Sequence, residues 1–344
     1  MEIGIIGAGW WAAQQYIPLL LKHPSVSGVA VTRPDREGLD ALHARFGLPH
    51  RFTDARDMLS ARPLRGVIVS SPHVLHAAHA MLCIERGLPT LIEKPMTAAS
   101  ADARVLTAMA QERHCPVMVA YGWNFRPIAA KARRLVDAGW VGDVRHGVLH
   151  VASATGSLMS GTGHPQAAAH LFQPAASTWS DPARAGGYGW GQLTHGLGLL
   201  FLLVDSAPAR VFARLGRGPT GADLFDAAVL ELANGATIAL SGAAGLTRKH
   251  RKQMDLRLYG SDGTLFLDVE RARLEASRAD GTIHAEPLDN GDEDYGVVDT
   301  IDRFVALCAG ESVDNPATAL VGQRAVEVLA AMYRSANSGA FETV

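Results

Sequence analysis

Four short stretches concentrate the residues able to hold or transform a ligand. The first is Gly7-Ala8-Gly9-Trp10-Trp11-Ala12, directly after the apolar run EIGII. It has the form G-x-G-x-x-A. The first glycine makes a tight turn, the second lets a pyrophosphate approach the backbone, and a small third residue lets the following helix pack on the strand. The helix start then offers unpaired N–H groups to phosphates. Gly7, Gly9 and Ala12 are therefore expected to cradle a dinucleotide. Trp10 and Trp11 fill the free positions, either bordering the ligand or packed between the helix and a second domain. The other stretches are Ser70-Ser71-Pro72-His73-Val74-Leu75-His76, Glu93-Lys94-Pro95, and Gly186-Gly187-Tyr188-Gly189-Trp190-Gly191-Gln192-Leu193-Thr194-His195. Two follow apolar strands, where open α/β sheets bind their ligands. The last opens an apolar helix.

The end of the second strand reads the adenosine ribose in such a site. An acidic residue there bonds the 2′-hydroxyl and repels a 2′-phosphate. This chain has Val31-Thr32-Arg33-Pro34-Asp35. Arg33 suits a phosphate and Thr32 adds a hydroxyl donor, which favours NADP over NAD. Asp35 close by, and the ability of Arg to stack on adenine, keep NAD open.

The elements that must position these residues alternate through the first third. EIGIIG, GVAVT, GVIVSSP, PTLIEKP and PVMVAY read as buried strands. WAAQQYIPLLLKH, GLDALHARFG, HAAHAMLCIERG and ADARVLTAMAQERH read as helices. That alternation predicts βαβ units and a parallel sheet. After Tyr121 the pattern changes. A helix at RPIAAKARRLVDAG is followed by the alternating DVRHGVLHVAS, an irregular Gly/Ser/His-rich stretch, and an apolar helix after Gly186-Gly187. Alternating pairs then turn at Ala233-Asn234-Gly235-Ala236 and Gly260-Ser261-Asp262-Gly263, as hairpins do. A helix, RAVEVLAAMYRSANS, ends the series. The expected fold is α/β: a dinucleotide-binding domain over 1–123 and an α+β domain over 124–344 with a large open, mostly antiparallel sheet.

Bulk properties narrow the class. Of 344 residues 48% are hydrophobic and 19% charged, with a formal net charge of −2, which suits a soluble globular protein and advertises neither a nucleic-acid nor a membrane partner. Cys83, Cys115 and Cys308 form no CxxC pair, so neither a zinc knuckle nor a disulfide scaffold is indicated, and no metal is expected. The start lacks a basic n-region. The longest apolar stretch, 197–204, is far short of the roughly 20 residues of a membrane span. A cytoplasmic location is the expectation.

Taken in order, these motifs resemble the glucose–fructose oxidoreductase / inositol dehydrogenase (Gfo/Idh/MocA) family over nearly the whole chain. The resemblance rests on the Gly-rich start, the turn of 71–76, Glu93-Lys94-Pro95, the region Tyr121 to Pro127, Gly186-Gly187 to His195, Gly260 to Leu265, and Tyr333-Arg334-Ser335. It implies a Rossmann domain, a C-terminal domain whose sheet mediates homodimers or homotetramers, and hydride transfer between a nicotinamide and a ring carbon of a sugar, sugar derivative or cyclitol. It places Lys94 as the catalytic lysine, whose cation polarises the reacting oxygen. It places His195 as the catalytic histidine, an acid or base near neutral pH. Ser71, Pro72, His73, His76 and Glu93 fall on the cofactor side. Trp123, Asn124 and Arg126 fall where nicotinamide or substrate is contacted.

The chain departs from that pattern near His195. Polyol and inositol dehydrogenases of the group usually carry Asp four residues before this His and three after it; here stand Gly191 and Gly198. Tyr188, Gln192 and Thr194 are the polar groups that remain. Gln192 can bond a hydroxyl but takes no proton. Trp179, His164 and His170 lie in the irregular stretch, where an aromatic residue suits stacking on a sugar ring. The basic run 248–252 suits a solvated loop, or an acidic substrate. Two rivals stay open: redox-neutral glycoside cleavage through transient sugar oxidation, and a non-catalytic nucleotide-sensing protein.

Overall fold

The computed structural model describes residues 1–247, 249–285 and 295–344. Arg248 of the basic run lies outside them. The chain divides into two compact units. One comprises Met1–Ala120, Gly163–Thr178 and Val297–Gln323, the other Tyr121–Thr162, Trp179–Gly296 and Arg324–Val344.

The first unit carries six strands: β1 (Glu2–Ile6), β2 (Gly28–Thr32), β3 (His50–Phe52), β4 (Gly66–Val69), β5 (Thr90–Ile92) and β6 (Val117–Val119). They run parallel in the order β3-β2-β1-β4-β5-β6. Ile3, Ile5, Val29, Val31, Val67, Val69 and Leu91 are buried, as a sheet covered on both faces requires. Strand order reverses between β1 and β4, so the crevice at their C-terminal ends is the place for a ligand. Gly7 follows β1 there and Ser71 follows β4. Helix Arg36–Phe46 begins at Asp35, whose Oδ2 accepts the Gly38 N–H at 2.9 Å. β3 and helix Ala55–Ala61, between the second and third expected strands, were not anticipated.

Residues 297–323 return to the first unit. The physical reason is the outer edge of β6. Val119 N–H donates to Ala317 O at 2.8 Å and the Asn315 amide donates to Val117 O at 2.8 Å. On the sheet, Gly66 lies against Cys308 and Phe304 of helix Val297–Cys308. The returning segment satisfies backbone groups and covers apolar surface the first 120 residues leave open.

Among the described residues the second unit is built on nine strands: β7 (Val144–Ala152), β8 (Pro208–Arg217), β9 (Asp223–Leu232), β10 (Thr237–Ala243), β11 (Gln253–Gly260), β12 (Gly263–Asp268), β13 (Arg273–Arg278), β14 (Ile283–Ala285) and β15 (Glu342–Thr343). Their order is β14-β13-β12-β11-β7-β10-β9-β8-β15. Among these described strands β7 and β10 pair in parallel and the other neighbours are antiparallel. Met254, Leu256 and Leu258 are buried on one face of β11, while Phe225, Val229 and Tyr259 are exposed. Helix Thr194–Leu203, buried along most of its length, packs on β7 and β11. Among the described residues no helix is long and apolar enough to cross a membrane, and no cluster of three or more His, Cys, Asp or Glu could hold a metal ion.

Candidate active site

The glycine turn is built as its residue types demand. Gly7 has φ +85°, and a Cβ there would lie 2.4 Å from Ser71 Cα. Only glycine brings the ends of β1 and β4 so close. The turn folds back on β2 through the Gly7 and Ala8 N–H groups, which donate to Thr32 O at 3.1 and 2.9 Å. A Cβ on Gly9, by contrast, would meet nothing nearer than Gly7 O at 3.9 Å. That open space above the second glycine is what a diphosphate requires, so the residues present fit a dinucleotide. The chain then enters a π-helical turn, Ala12–Tyr16, a rare geometry often found at functional sites.

The two tryptophans part ways. The Trp10 indole donates to His170 Nδ1 at 2.7 Å. Trp11 bonds the Glu93 carboxylate, together with the Tyr16 hydroxyl and the Lys94 N–H. Burial pushes the Glu93 carboxyl up, against the opposing pull of Lys94 and these donors. Lys94, at the end of β5, is itself 8% exposed. Low dielectric magnifies the field that Lys94 exerts on this carboxyl.

Arg33 reaches in several directions from the end of β2. Its Nε lies 2.6 Å from Asp35 Oδ1, its Nη1 donates to Ala8 O at 3.4 Å, and its guanidinium carbon stands 4.0 Å over the Phe172 ring. Asp35 is held below the usual carboxylate range by Arg33 and the Gly38 N–H, which outweigh its own desolvation.

The histidines after β4 divide into struts and walls. His76 is buried, with Nδ1 2.7 Å from Pro95 O and Nε2 2.7 Å from Ser71 O. It ties the ends of β4 and β5 together, and burial pushes its imidazole down to about 4 despite the two carbonyls. The neutral ring carries one N–H, so it donates to one of these two carbonyls and packs against the other. His73 stands edge-on to it and is buried. Ser71 Oγ lies 2.9 Å from His79 Nδ1, a partner not expected from sequence. Pro72 precedes the short 3₁₀ turn His73–Leu75.

In the second unit the Gly-Gly stretch forms another π-helical turn, Gly189–Leu193, which leads into helix Thr194–Leu203. His195 is 8% exposed. Its Nδ1 lies 3.5 Å from the Tyr295 hydroxyl, and the Tyr295 and Tyr121 rings stand edge-on to it. The Tyr121 hydroxyl lies 3.2 Å from Thr194 Oγ1. The Asn124 amide donates to Gly198 O at 3.0 Å, and Trp123 meets Tyr295 edge-on. The Arg126 stem passes Gly296. Gln192 is half-buried on the π-turn. Tyr295 was missed in the sequence because only tertiary packing brings it to His195.

Tyr188 corrects an expectation. It is fully buried, and its hydroxyl donates to Val151 O at 3.1 Å and accepts from Ser153. It is locked into β7, out of reach of a substrate hydroxyl. Beside it lies a buried acidic cluster. Asp223 accepts the Gly189 N–H at 2.7 Å and the Tyr333 hydroxyl at 2.5 Å. Asp226, three residues further along β9, is pushed well up by burial and by Asp223. Tyr333 in turn stacks on Trp190. The cluster pins the start of the π-turn.

Two profiles of one family match the chain. Residues 1–121 match "Oxidoreductase family, NAD-binding Rossmann fold", and residues 129–266 match "GFO/IDH/MocA C-terminal domain". The chain belongs to the Gfo/Idh/MocA family. Similar curated proteins include a 1-carboxy-3-chloro-3,4-dihydroxycyclohexa-1,5-diene dehydrogenase of Comamonas testosteroni, 26% identical over 63% of this chain and 51% of that one. The chain thus spans about half the length of that relative. It aligns with 98% of a D-xylose 1-dehydrogenase (NADP(+)) of Haloferax volcanii, at 24% identity over 99% of its own length. Among solved structures, a levoglucosan dehydrogenase in complex with NADH and levoglucosan matches with TM-score 0.77 at 18% identity, covering all of this chain and 99% of that one. A Kribbella flavida oxidoreductase domain protein matches with TM-score 0.79 at 20% identity, covering 99% and 98%.

Within this Gfo/Idh/MocA chain, the two glycines at the expected Asp positions have a packing reason. A Cβ on Gly198 would lie 2.6 Å from the Tyr121 ring, and one on Gly191 would lie 2.7 Å from Met159 Cε and 3.2 Å from the Trp179 ring. Aromatic rings fill the space that side chains at these positions would need.

Proposed function

We propose that this protein is an NAD(P)-dependent oxidoreductase acting on a CH–OH group of a sugar, sugar derivative or cyclitol. The observation that carries the reading is the buried Glu93–Lys94 pair at the end of β5, in the same unit as a glycine turn with open space for a diphosphate. The names of the relatives, dehydrogenases of D-xylose, inositol and a cyclic diol, support the substrate class.

Gly7, Gly9, Ala12, Thr32, Arg33, Ser71 and Pro72 would hold the dinucleotide, whose nicotinamide would supply the hydride chemistry. The chain's own residues manage the oxygen. Lys94 lies beside the reacting hydroxyl: in oxidation its neutral amine takes the hydroxyl proton as the hydride leaves, and in reduction its ammonium stabilises the developing alkoxide and returns the proton. Glu93, held by Tyr16 and Trp11, fixes the position of Lys94. His195, backed by Tyr295, is the second proton-handling group. Trp123, Arg126, Trp179 and Gln192 are the candidates for contact with the ring. With no carboxylate at 191 or 198, Lys94 carries more of the acid–base work than in a Lys–Asp–His arrangement. The exposed Phe225, Val229 and Tyr259 of the nine-stranded sheet suit a homodimer or homotetramer interface.

The test is Lys94→Met. Turnover with a sugar and cyclitol panel, followed at the nicotinamide absorbance with NAD and with NADP, should fall by about 10³-fold or more, while cofactor affinity stays within a few-fold. A wild-type protein that binds cofactor but turns over nothing would instead favour a non-catalytic sensor.

A further inference from the structure

We propose that Gly163–Thr178 is part of the dinucleotide site, a strap whose His170 and Phe172 retain the cofactor's adenosine–diphosphate half. The inference rests on the glycine turn being the dinucleotide site. Although the strap follows β7 in sequence, it belongs to the first unit. It meets the rest of that unit at Trp10 and at Arg33. At one end the Trp10 indole, within the glycine motif itself, bonds His170 and stacks with it at 6.2 Å, while His164 stands edge-on to Trp10 at 5.5 Å. At the other end Phe172 covers the guanidinium of Arg33, the residue in the ribose-reading position. Diphosphate and adenosine ribose lie between these two positions in a fold of this kind.

The strap's chemistry fits that neighbour. Residues 161–180 carry no Asp, Glu, Lys or Arg, so nothing there repels a diphosphate. An indole nitrogen only donates, so His170 Nδ1 accepts and its ring proton sits on Nε2. That N–H is a donor aimed away from Trp10, suited to a phosphate or ribose oxygen. Phe172 fixes the guanidinium plane by a cation–π contact. The strap also has its own internal order: the Ala167 N–H donates to His164 O at 2.8 Å, the His170 N–H to Ala167 O at 2.9 Å, and the Gln173 amide to Ala167 O, with Ala167 fully buried. A ligand in the groove is then held by two latches that must open before it leaves.

The experiment compares the wild-type chain with H170A/F172A and with Phe172→Leu, which keeps bulk but loses the ring face. Affinity for NADH and NADPH is measured by calorimetry and release by stopped-flow displacement, and thermolysin cleavage within 163–178 is followed with and without cofactor. The double variant should release cofactor at least about tenfold faster with unchanged melting temperature. Phe172→Leu should fall between the two, and cofactor should protect the wild-type strap. Equal release rates, or no protection, would overturn the proposal. A wild-type chain that binds neither cofactor would overturn the dinucleotide reading itself, a result distinct from tight binding that the strap variants leave untouched.

Discussion

The two π-helical turns, Ala12–Tyr16 and Gly189–Leu193, follow glycine-rich entries and each leads into a helix, yet they are held in different ways. The first is anchored from the sheet: Gly7 crosses Ser71, and Tyr16 bonds Glu93 beside Lys94. The second is anchored by a buried acid: Asp223 takes the Gly189 N–H, and Tyr333 holds Asp223. At the first turn the glycine spacing leaves room for a ligand. At the second, glycine makes room for the protein's own rings, Tyr121 over Gly198 and Trp179 over Gly191. The same residue type thus serves opposite purposes, and the space above it tells which.

Substitutions sharpen that contrast. Gly9→Val should abolish cofactor binding, by about 100-fold or more in affinity, with an unchanged melting temperature, because its Cβ enters open space; unchanged affinity in a calorimetric titration would break the distinction. Gly198→Asp, which restores the family's carboxylate, should instead destabilise the fold by about 1–3 kcal/mol through collision with Tyr121, read in denaturant melts. Asp226→Asn tests the acidic anchor. A carboxyl pushed up in the folded state is stabilising below its unfolded value, near 4, and that contribution is lost as pH rises toward the folded value. The variant should therefore be more stable than wild type at pH 8, with the gap closing toward pH 4; a pH-independent difference would assign Asp226 a purely steric role. The smallest effect belongs to Asp35→Asn. Releasing the Arg33 Nε from its carboxylate should raise the NADPH-to-NADH affinity ratio by a few-fold, an amount typical of a part-exposed ion pair.

Legibility followed the same division. The glycine motif, the strand ends at Ser71 and Lys94, and the hairpin at Asn234-Gly235 announce themselves because the backbone geometry they serve is local. β3 is three residues, His50–Phe52, too short to show a period. Tyr295, His79, Asp223 and Phe172 gave no signal, since each acquires its partner from a distant part of the chain. Tyr188 misled for a related reason: its place in a motif says nothing of which way its ring turns.

The returning segment beyond residue 296 limits how this protein can be dissected. A fragment cut after residue 123 would carry every glycine of the nucleotide motif, yet β6 would lose Ala317 and Asn315 and present bare backbone along its outer edge. Such an edge pairs with its own kind. Fragment expression should therefore yield aggregates in place of a miniature cofactor-binding module, and domain shuffling in this chain must transplant residues 297–323 along with the first 120.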